Sequence, residues 1–484
     1  MKKILAITIL FAGTLFVSCK KNIDSLNKDV KNPSEVPAGS LFTGAVKSLA
    51  DNMTTPNVNV GIFRLLAQQW AETTYPDETQ YDLSTRNITQ NFWDVMYRDV
   101  LKPLDEAAKL VPGQDPKYIS PETIKNESAL IEIVNVYTYS ILVETYGNVP
   151  YSKALDINDV TPEFDDAATV YKDLLSRLDA AIANLDVTAE GFGENDILFT
   201  DENGGEDMNK VLKFANSWKL RMGMMLADVD PTTASTVVEA AAPNVMQSNA
   251  DNLDFKYLSA PPNTNPVWVN LVQSGRKDFV GANTLVDAML AVNDPRVPFY
   301  FEPAPGGSDY IGGEYGTGNS YSNYSPPNTK ITKPDFPSII LDYAEVEFLL
   351  AEAVERGFNV GGTAEGHYDN AITASIEYWG GGAADAATYL AQADVAYTTA
   401  PGTFKEKIGN QMWIALYNNG YEAWTQWRRL DAPALVAPAE ALTAIPLRYT
   451  YPVQEQNLNV TNYNAASAAI GGDAVTTKIF WDIF

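Results

Sequence analysis

The chain has 484 residues, with 61 acidic against 34 basic side chains, a formal charge of -27, one His and one Cys. One imidazole and one thiol are too few for a His/Cys zinc site or a Cys-ligated iron–sulfur cluster, and they leave any Ser or Cys nucleophile with His367 as its one imidazole base. So acidic a chain repels phosphate backbones, which are bound through Lys and Arg, and this excludes nucleic acid as a partner; 45% hydrophobic and 20% charged residues otherwise describe an ordinary globular protein.

The first segment predicts export. Lys2 and Lys3 precede an apolar run over 4–17 that closes at Ser18-Cys19. The run is shorter than the roughly 20 residues of a membrane-spanning helix, so residues 1–18 are expected to be a signal peptide. A small residue before the chain's one Cys resembles a bacterial lipobox, in which cleavage exposes the thiol for lipidation. Cys19 has no disulfide partner within the chain, which favours lipid as its fate. Residues 19–37 are polar, carry Asn32-Pro33 and Val36-Pro37, and are expected to act as the lipid-anchored tether. Residues 38–484 then form a single body.

Helical periodicity dominates the first half of that body. Apolar residues recur at spacings of three and four over 40–49, 60–71, 91–110, 122–146, 165–185 and 207–228. Breakers at Pro112-Gly113, Gly147-Asn148-Val149-Pro150 and Asp230-Pro231 separate them, so antiparallel helical pairs are expected. Between two of these helices, Tyr75 and Tyr81 flank a Pro-Asp-Glu turn. Asp201, Asn203, Gly205 and Asp207 alternate like the start of a calcium loop, but the twelfth position is Leu212 where a bidentate Glu belongs; an acidic turn capping the next helix is the expectation, and no metal site is predicted.

From 249 to 338 the texture changes to Pro, Gly, Asn and Tyr, with one helix expected over 282–291. Trp268 follows Asn265-Pro266, Asp294-Pro295-Arg296 is expected to be a turn fixing a following strand, and Tyr310, Tyr315, Tyr321 and Tyr324 stud a Gly-rich stretch. Gly312, Gly313, Gly316 and Gly318 lack the Lys and the helix of a phosphate cradle and are expected to form a mobile loop. Residues 340–354 are apolar nearly all round, the pattern of a buried helix. Gly357 stops it before a second helix over 363–378 that carries His367, in a unit resembling a tetratricopeptide hairpin. Glu345 and Glu352 share a face of the first helix, about 10 Å apart by helical rise, too deep in a buried element to receive substrate.

Several motifs follow one another in order. They are Tyr146-Gly147-Asn148-Val149-Pro150-Tyr151, the helix from Ala215-Asn216 to Leu220-Arg221, Asn293-Asp294-Pro295-Arg296, and the stretch from Tyr343 through Glu345 and Glu352 to Ala353. Asn419-Gly420-Tyr421-Glu422-Ala423-Trp424 with Arg428-Arg429, and Ile445-Pro446-Leu447-Arg448-Tyr449 with Tyr451-Pro452, complete the series. This succession resembles the SusD/RagB family of nutrient-binding outer-membrane lipoproteins, over nearly the whole chain.

The resemblance implies a mainly α fold: tetratricopeptide-like helical hairpins with a large irregular loop-rich elaboration. The scaffold is expected over about 38–230 and 338–380, and the ligand face over about 249–337 and 380–484. It also implies a non-catalytic surface protein without cofactor that captures glycan, or peptide as in RagB-type importers. Such a protein is the lid of a SusC-like TonB-dependent transporter and is held to outer-membrane lipid through Cys19. A surface glycoside hydrolase and a helical adaptor for protein partners are the competing readings. Sugar rings stack their C–H faces on aromatic rings, so Tyr75, Tyr81, Trp268, Tyr310, Tyr315, Tyr321 and Tyr324 are the expected ligand contacts.

Overall fold

The computed structural model describes residues 36–483, so the signal segment, the lipidation site Cys19 and the tether through residue 35 lie outside the described residues. The architecture is mainly α. Helices pack as sequence-adjacent pairs: Pro121–Tyr146 with Ala167–Asn184, Met208–Met225 with Pro231–Ala241, Tyr343–Glu355 with Ala364–Trp379, and Phe404–Ala415 with Gly420–Leu430. Ala38–Thr54 packs against Lys102–Leu110 and the π-helical Val95–Leu101 before it.

Local chemistry sets the ends of these helices. Ser120 accepts a hydrogen bond from the Thr123 amide with Pro121 at the first helical position, and Gly147 at φ +85° ends the helix. Asp166, Asp207 and Asp230 cap Ala167–Asn184, Met208–Met225 and Pro231–Ala241 in the same way, and Thr403 and Glu406 form a capping box. Among the described residues no helix is long and apolar enough to cross a membrane.

Among the described residues four short strands complete the fold: β1 (Trp70–Glu72), β2 (Leu253–Phe255), β3 (Phe279–Gly281) and β4 (Ser338–Leu341). β1 pairs antiparallel with β3, Trp70 opposite Gly281 and Glu72 opposite Phe279, and β2 pairs with β4. The structure changes three expectations. Over 60–71 only Phe63–Leu66 is helical; Gln68 turns at φ +53° and the chain enters β1. The apolar run at 340 begins in β4, and the helix starts only after Asp342 caps it. Val297–Tyr300, after Asp294-Pro295-Arg296, is a helical turn where a strand was expected, because Arg296 folds back onto the Asp294 carboxylate and onto Ser375 and Gln411.

The Phe404–Ala415 and Gly420–Leu430 helices lie within the stretch expected to build the ligand face, yet they pack into the helical scaffold. Phe404–Ala415 contacts Tyr343–Glu355, and Gly420–Leu430 is buried along its whole length. The family motifs sit here as packing groups. The Arg428 guanidinium lies 3.5 Å over the Trp424 ring and donates to the Glu144 and Leu447 carbonyls at 2.9 and 2.8 Å. His367 pairs with Glu347 at 2.7 Å across the Tyr343–Glu355 and Ala364–Trp379 hairpin.

Candidate functional site

The β1–β3 ribbon carries the loops of the irregular half and is bolted to the scaffold. Trp413 on Phe404–Ala415 donates its indole N–H to the Ala67 carbonyl at 2.8 Å, and Gln69 returns a bond to the Trp413 carbonyl at 3.0 Å. Beyond β1 the chain stays tied to the strand opposite: Thr73 N–H donates to Asp278 O at 2.8 Å and its hydroxyl to Lys277 O at 2.5 Å. The next residues turn outward. Tyr75 takes φ +56°, a region sparsely used by non-glycine residues, and its ring is 71% exposed.

A cleft of about 390 Å³ opens there, lined by Val58, Glu72, Thr74, Tyr75, Glu78, Arg86, Arg276 and Asp278. Its charges are paired. Arg86 binds Glu78, and Arg276 binds Asp278. Glu72 is buried and accepts from the Thr79 amide at 3.0 Å and the Thr79 hydroxyl at 2.9 Å. Burial, and then contact with Glu78, lift the Glu72 carboxyl to about 9. Glu78 Oε2 is buried with no donor of its own, so the two carboxyls share one proton and carry one negative charge between them. The site is therefore close to neutral at pH 7, with an exposed ring on its rim and fixed donors and acceptors on its walls. Such a surface suits an uncharged, hydroxyl-rich ligand.

The Gly-rich stretch closes over the back of the ribbon and is pinned there, contrary to the expected mobile loop. Gly313 N–H donates to Gly281 O and Gly281 N–H to Ser325 O, each at 2.8 Å, and the Asn319 amide reaches Glu72 O at 3.0 Å. A methyl group on Gly312 would stand 2.4 Å from Asn283 Cα, so glycine is required by close approach.

The seven expected aromatic contacts divide. Tyr75 faces the cleft. Tyr321, half-buried, lies beneath the Lys277 ammonium 4.9 Å from its ring centre, beside the same ribbon. Tyr310 and Tyr324 are half-buried along the Gly-rich segment. Trp268, also half-buried, sits on the helical turn Pro266–Trp268 and is not among the residues lining this cleft. Tyr81 and Tyr315 correct the expectation: both rings are buried, 6.3 Å apart, Tyr81 bonded to Gln68 and Tyr315 donating to Leu65 O at 2.7 Å. Gln68, which bonds Tyr81, also donates to the Val436 carbonyl at 2.9 Å, and Pro438 packs against Gly316 next to Tyr315.

Arg86, Arg276, Asp278 and the Glu72–Glu78 pair were not expected at the site. They belong to no motif, and the β1–β3 pairing that gathers them is invisible to local periodicity. At Asp201 the carboxylate closes its own turn, accepting from the Asn203 and Gly205 amides at 2.8 and 2.9 Å. Among the described residues no group of three or more His, Cys, Asp or Glu could hold a metal ion.

Comparison with known proteins adds the following. The SusD-like family described as "Starch-binding associating with outer membrane" matches residues 30–452. A solved structure named as a chitin-binding protein is 25% identical with a TM-score of 0.79, covering 92% of this chain and 100% of its own. A SusD homologue from Bacteroides uniformis aligns at 24% identity and TM-score 0.75, over 92% of this chain and 99% of its own. A chitin-binding SusD homologue from Flavobacterium johnsoniae aligns at 24% and 0.75, over 92% and 98%. These last two likenesses bear on the fold alone. No curated protein matches.

Proposed function

This chain belongs to the SusD-like family of proteins associated with the outer membrane, and we propose that it is a non-catalytic surface receptor for oligosaccharides. In this reading Cys19 carries the lipid anchor, the body faces the cell exterior, and the protein is the lid and delivery partner of a SusC-like TonB-dependent transporter. The observation that carries the ligand half is the Tyr75 ring, 71% exposed on the rim of a cleft whose charges are already paired. A sugar stacks its C–H face on that ring while Thr74, Arg276 and Asp278 meet its hydroxyls. Family description and the chitin-binding neighbour support a glycan over a peptide.

The acid pair of this cleft does not favour a hydrolase: Glu72 and Glu78 are in hydrogen-bonding contact, whereas glycosidase carboxyls stand about 5–5.5 Å apart in retaining enzymes and about 6.5–9.5 Å in inverting ones.

Calorimetric titration with maltotriose and with triacetylchitotriose tests the ligand assignment. Tyr75→Ala should weaken binding of whichever trisaccharide the native protein takes by about tenfold, the worth of one stacked ring, and should leave the melting temperature unchanged. Unaltered affinity would show that the cleft is not the site. Co-purification from solubilised outer membrane tests the transporter partnership.

A further inference from the structure

His367 is the one imidazole in the chain, and the proposed function gives it no part. It stands in the first turn of Ala364–Trp379, which Thr363 caps by accepting from the Gly366 amide at 3.0 Å. Its ring reaches both other parts of the hairpin. Nδ1 lies 2.7 Å from a carboxylate oxygen of Glu347 on Tyr343–Glu355, and Nε2 lies 3.2 Å from the Gly361 carbonyl in the connection over 356–363. Gly362, at φ +64°, packs directly on the ring, and a methyl group there would stand 2.4 Å from Nε2. The connection is also a seam with the neighbouring hairpin. Its Arg356 pairs with Asp228 at 2.8 Å, between Met208–Met225 and Pro231–Ala241, and its Asn359 amide donates to Glu239 at 2.9 Å.

Both ring nitrogens thus face acceptors. A neutral imidazole has one N–H and one lone pair, so either tautomer turns a lone pair on an oxygen, and the imidazolium alone donates to both. Glu347 adds to this demand. Its carboxylate is buried, and a neutral ring would leave that charge with the Asn370 amide, at 3.3 Å, and the Tyr343 hydroxyl as its neighbours. Glu365 and Asp369 lie two positions to either side of His367 on its own helix, a spacing that turns side chains away from one another. The charge acting on the ring is therefore that of Glu347, whose hydrogen bond lifts the imidazole above its ordinary value against the opposing effect of burial.

We propose that His367 is a pH-sensitive pin, which when charged ties the 356–363 connection to both helices of its hairpin and when neutral lets that connection go. The proton the neutral ring keeps is the one on Nδ1, because a carboxylate is the stronger acceptor. Nε2 then turns its lone pair on the Gly361 carbonyl, and the seam through Asn359 and Glu239 loosens with it. The folded value lies above the ordinary value of about 6.5, so the pin is fully set below that pH and is lost as pH rises through the folded value.

A single His gives a single imidazole signal, so NMR titration of the wild-type protein, purified with a histidine-free tag, reads this group directly. Its midpoint should lie above about 6.5, and Glu347→Gln should bring it down. Hydrogen exchange reads the consequence. The Phe358 amide, which donates to the Ala353 carbonyl at 2.9 Å, and the Asn359 amide on Glu239 should lose about tenfold in protection across the same midpoint, after correction for intrinsic exchange. His367→Gln, which carries no charge at any pH, should show no such step. A wild-type midpoint at or below about 6.5 overturns the proposal. A raised midpoint with no step in protection at Phe358 and Asn359 overturns it too, since the ring would then titrate without holding the connection. Both decisive readings come from the wild type and stand whether or not either variant folds.

Discussion

Arg221 shows how single residues bear the chain's excess of acid. It is fully buried and holds Glu144 at 2.8 Å and Glu422 at 2.9 Å, with Glu345 4.0 Å away. One guanidinium cannot neutralise three carboxylates. Glu345 Oε2 and Glu422 Oε1 have no donor when both acids are ionised, and burial, followed by the charge of Glu422, drives Glu345 well above the usual carboxylate range. Glu345 therefore keeps its proton and shares it with Glu422. Glu345→Gln imitates the protonated acid and should change unfolding free energy at pH 7 by less than about 1 kcal/mol. Arg221→Met strands two buried carboxylates and should cost about 3–5 kcal/mol. Urea denaturation of the two variants decides it; comparable losses in both would mean that Glu345 is ionised. The spacing of Glu345 and Glu352 on one helix face was legible in the sequence. Arg356, one turn beyond Glu352 at the end of the same helix, is a local partner; Gln426 for Glu345 and Arg429 for Glu352 come from the Gly420–Leu430 helix and could not be read from that spacing.

Elements were legible where one helix face meets one neighbour. The Pro121–Tyr146 and Ala167–Asn184 pair follows the apolar spacing and the capping residues closely. Reading failed where a short pairing between distant segments overrides local pattern: β1 hides inside a helical-looking run because its partner β3 lies some 200 residues on. The candidate site inherits that difficulty, since Arg276 and Asp278 reach Tyr75 only through the β1–β3 ribbon. The Gly-rich segment was seen but misread, because composition reports freedom of the unfolded chain and not what a fold does with it. Its glycines serve close approach. A methyl on Gly312 would meet backbone at 2.4 Å, and one on Gly316, at φ +84°, would meet Pro438 Cβ at 2.2 Å. Gly312→Ala and Gly316→Ala should each destabilise by about 1–3 kcal/mol, with Gly316 losing more through its positive φ. Both should also weaken trisaccharide binding, since the segment backs the ribbon that carries Tyr75. Thermal melts together with calorimetry test this; a stability loss with full affinity would uncouple the segment from the site.

At the scale of the whole molecule, the charge of -27 is held down in part by acids that the fold keeps protonated. Burial raises Asp254 to about 7, Asp196 to about 7 and Asp342 to about 6, and Glu72 stands near 9. Each of these groups has its folded value above its unfolded value of about 3.9 for Asp or 4.3 for Glu. The folded state therefore binds more protons than the unfolded chain between those limits, and stability falls as pH rises through them. The contribution is complete below about pH 4 and is lost progressively up to about 7 for Asp254 and Asp196, and to about 9 for Glu72. An opposing set appears in acid: the Lys172 ammonium, and then Thr233, hold Asp230 down to about 2, and Asp228 is lowered beside Arg356 and Lys405 despite its burial. Those groups stabilise above about pH 4 and lose their effect as pH drops toward 2. The melting temperature should accordingly peak near pH 5 and decline steadily from 6 to 9. Differential scanning calorimetry across pH 3–9 measures the curve directly. Asp254→Asn combined with Asp196→Asn removes two of the buried titrations and should flatten the limb between 5 and 8. A melting temperature that rises from pH 5 to 8 in the wild type would mean that these carboxyls ionise in the fold, and that solvent reaches them.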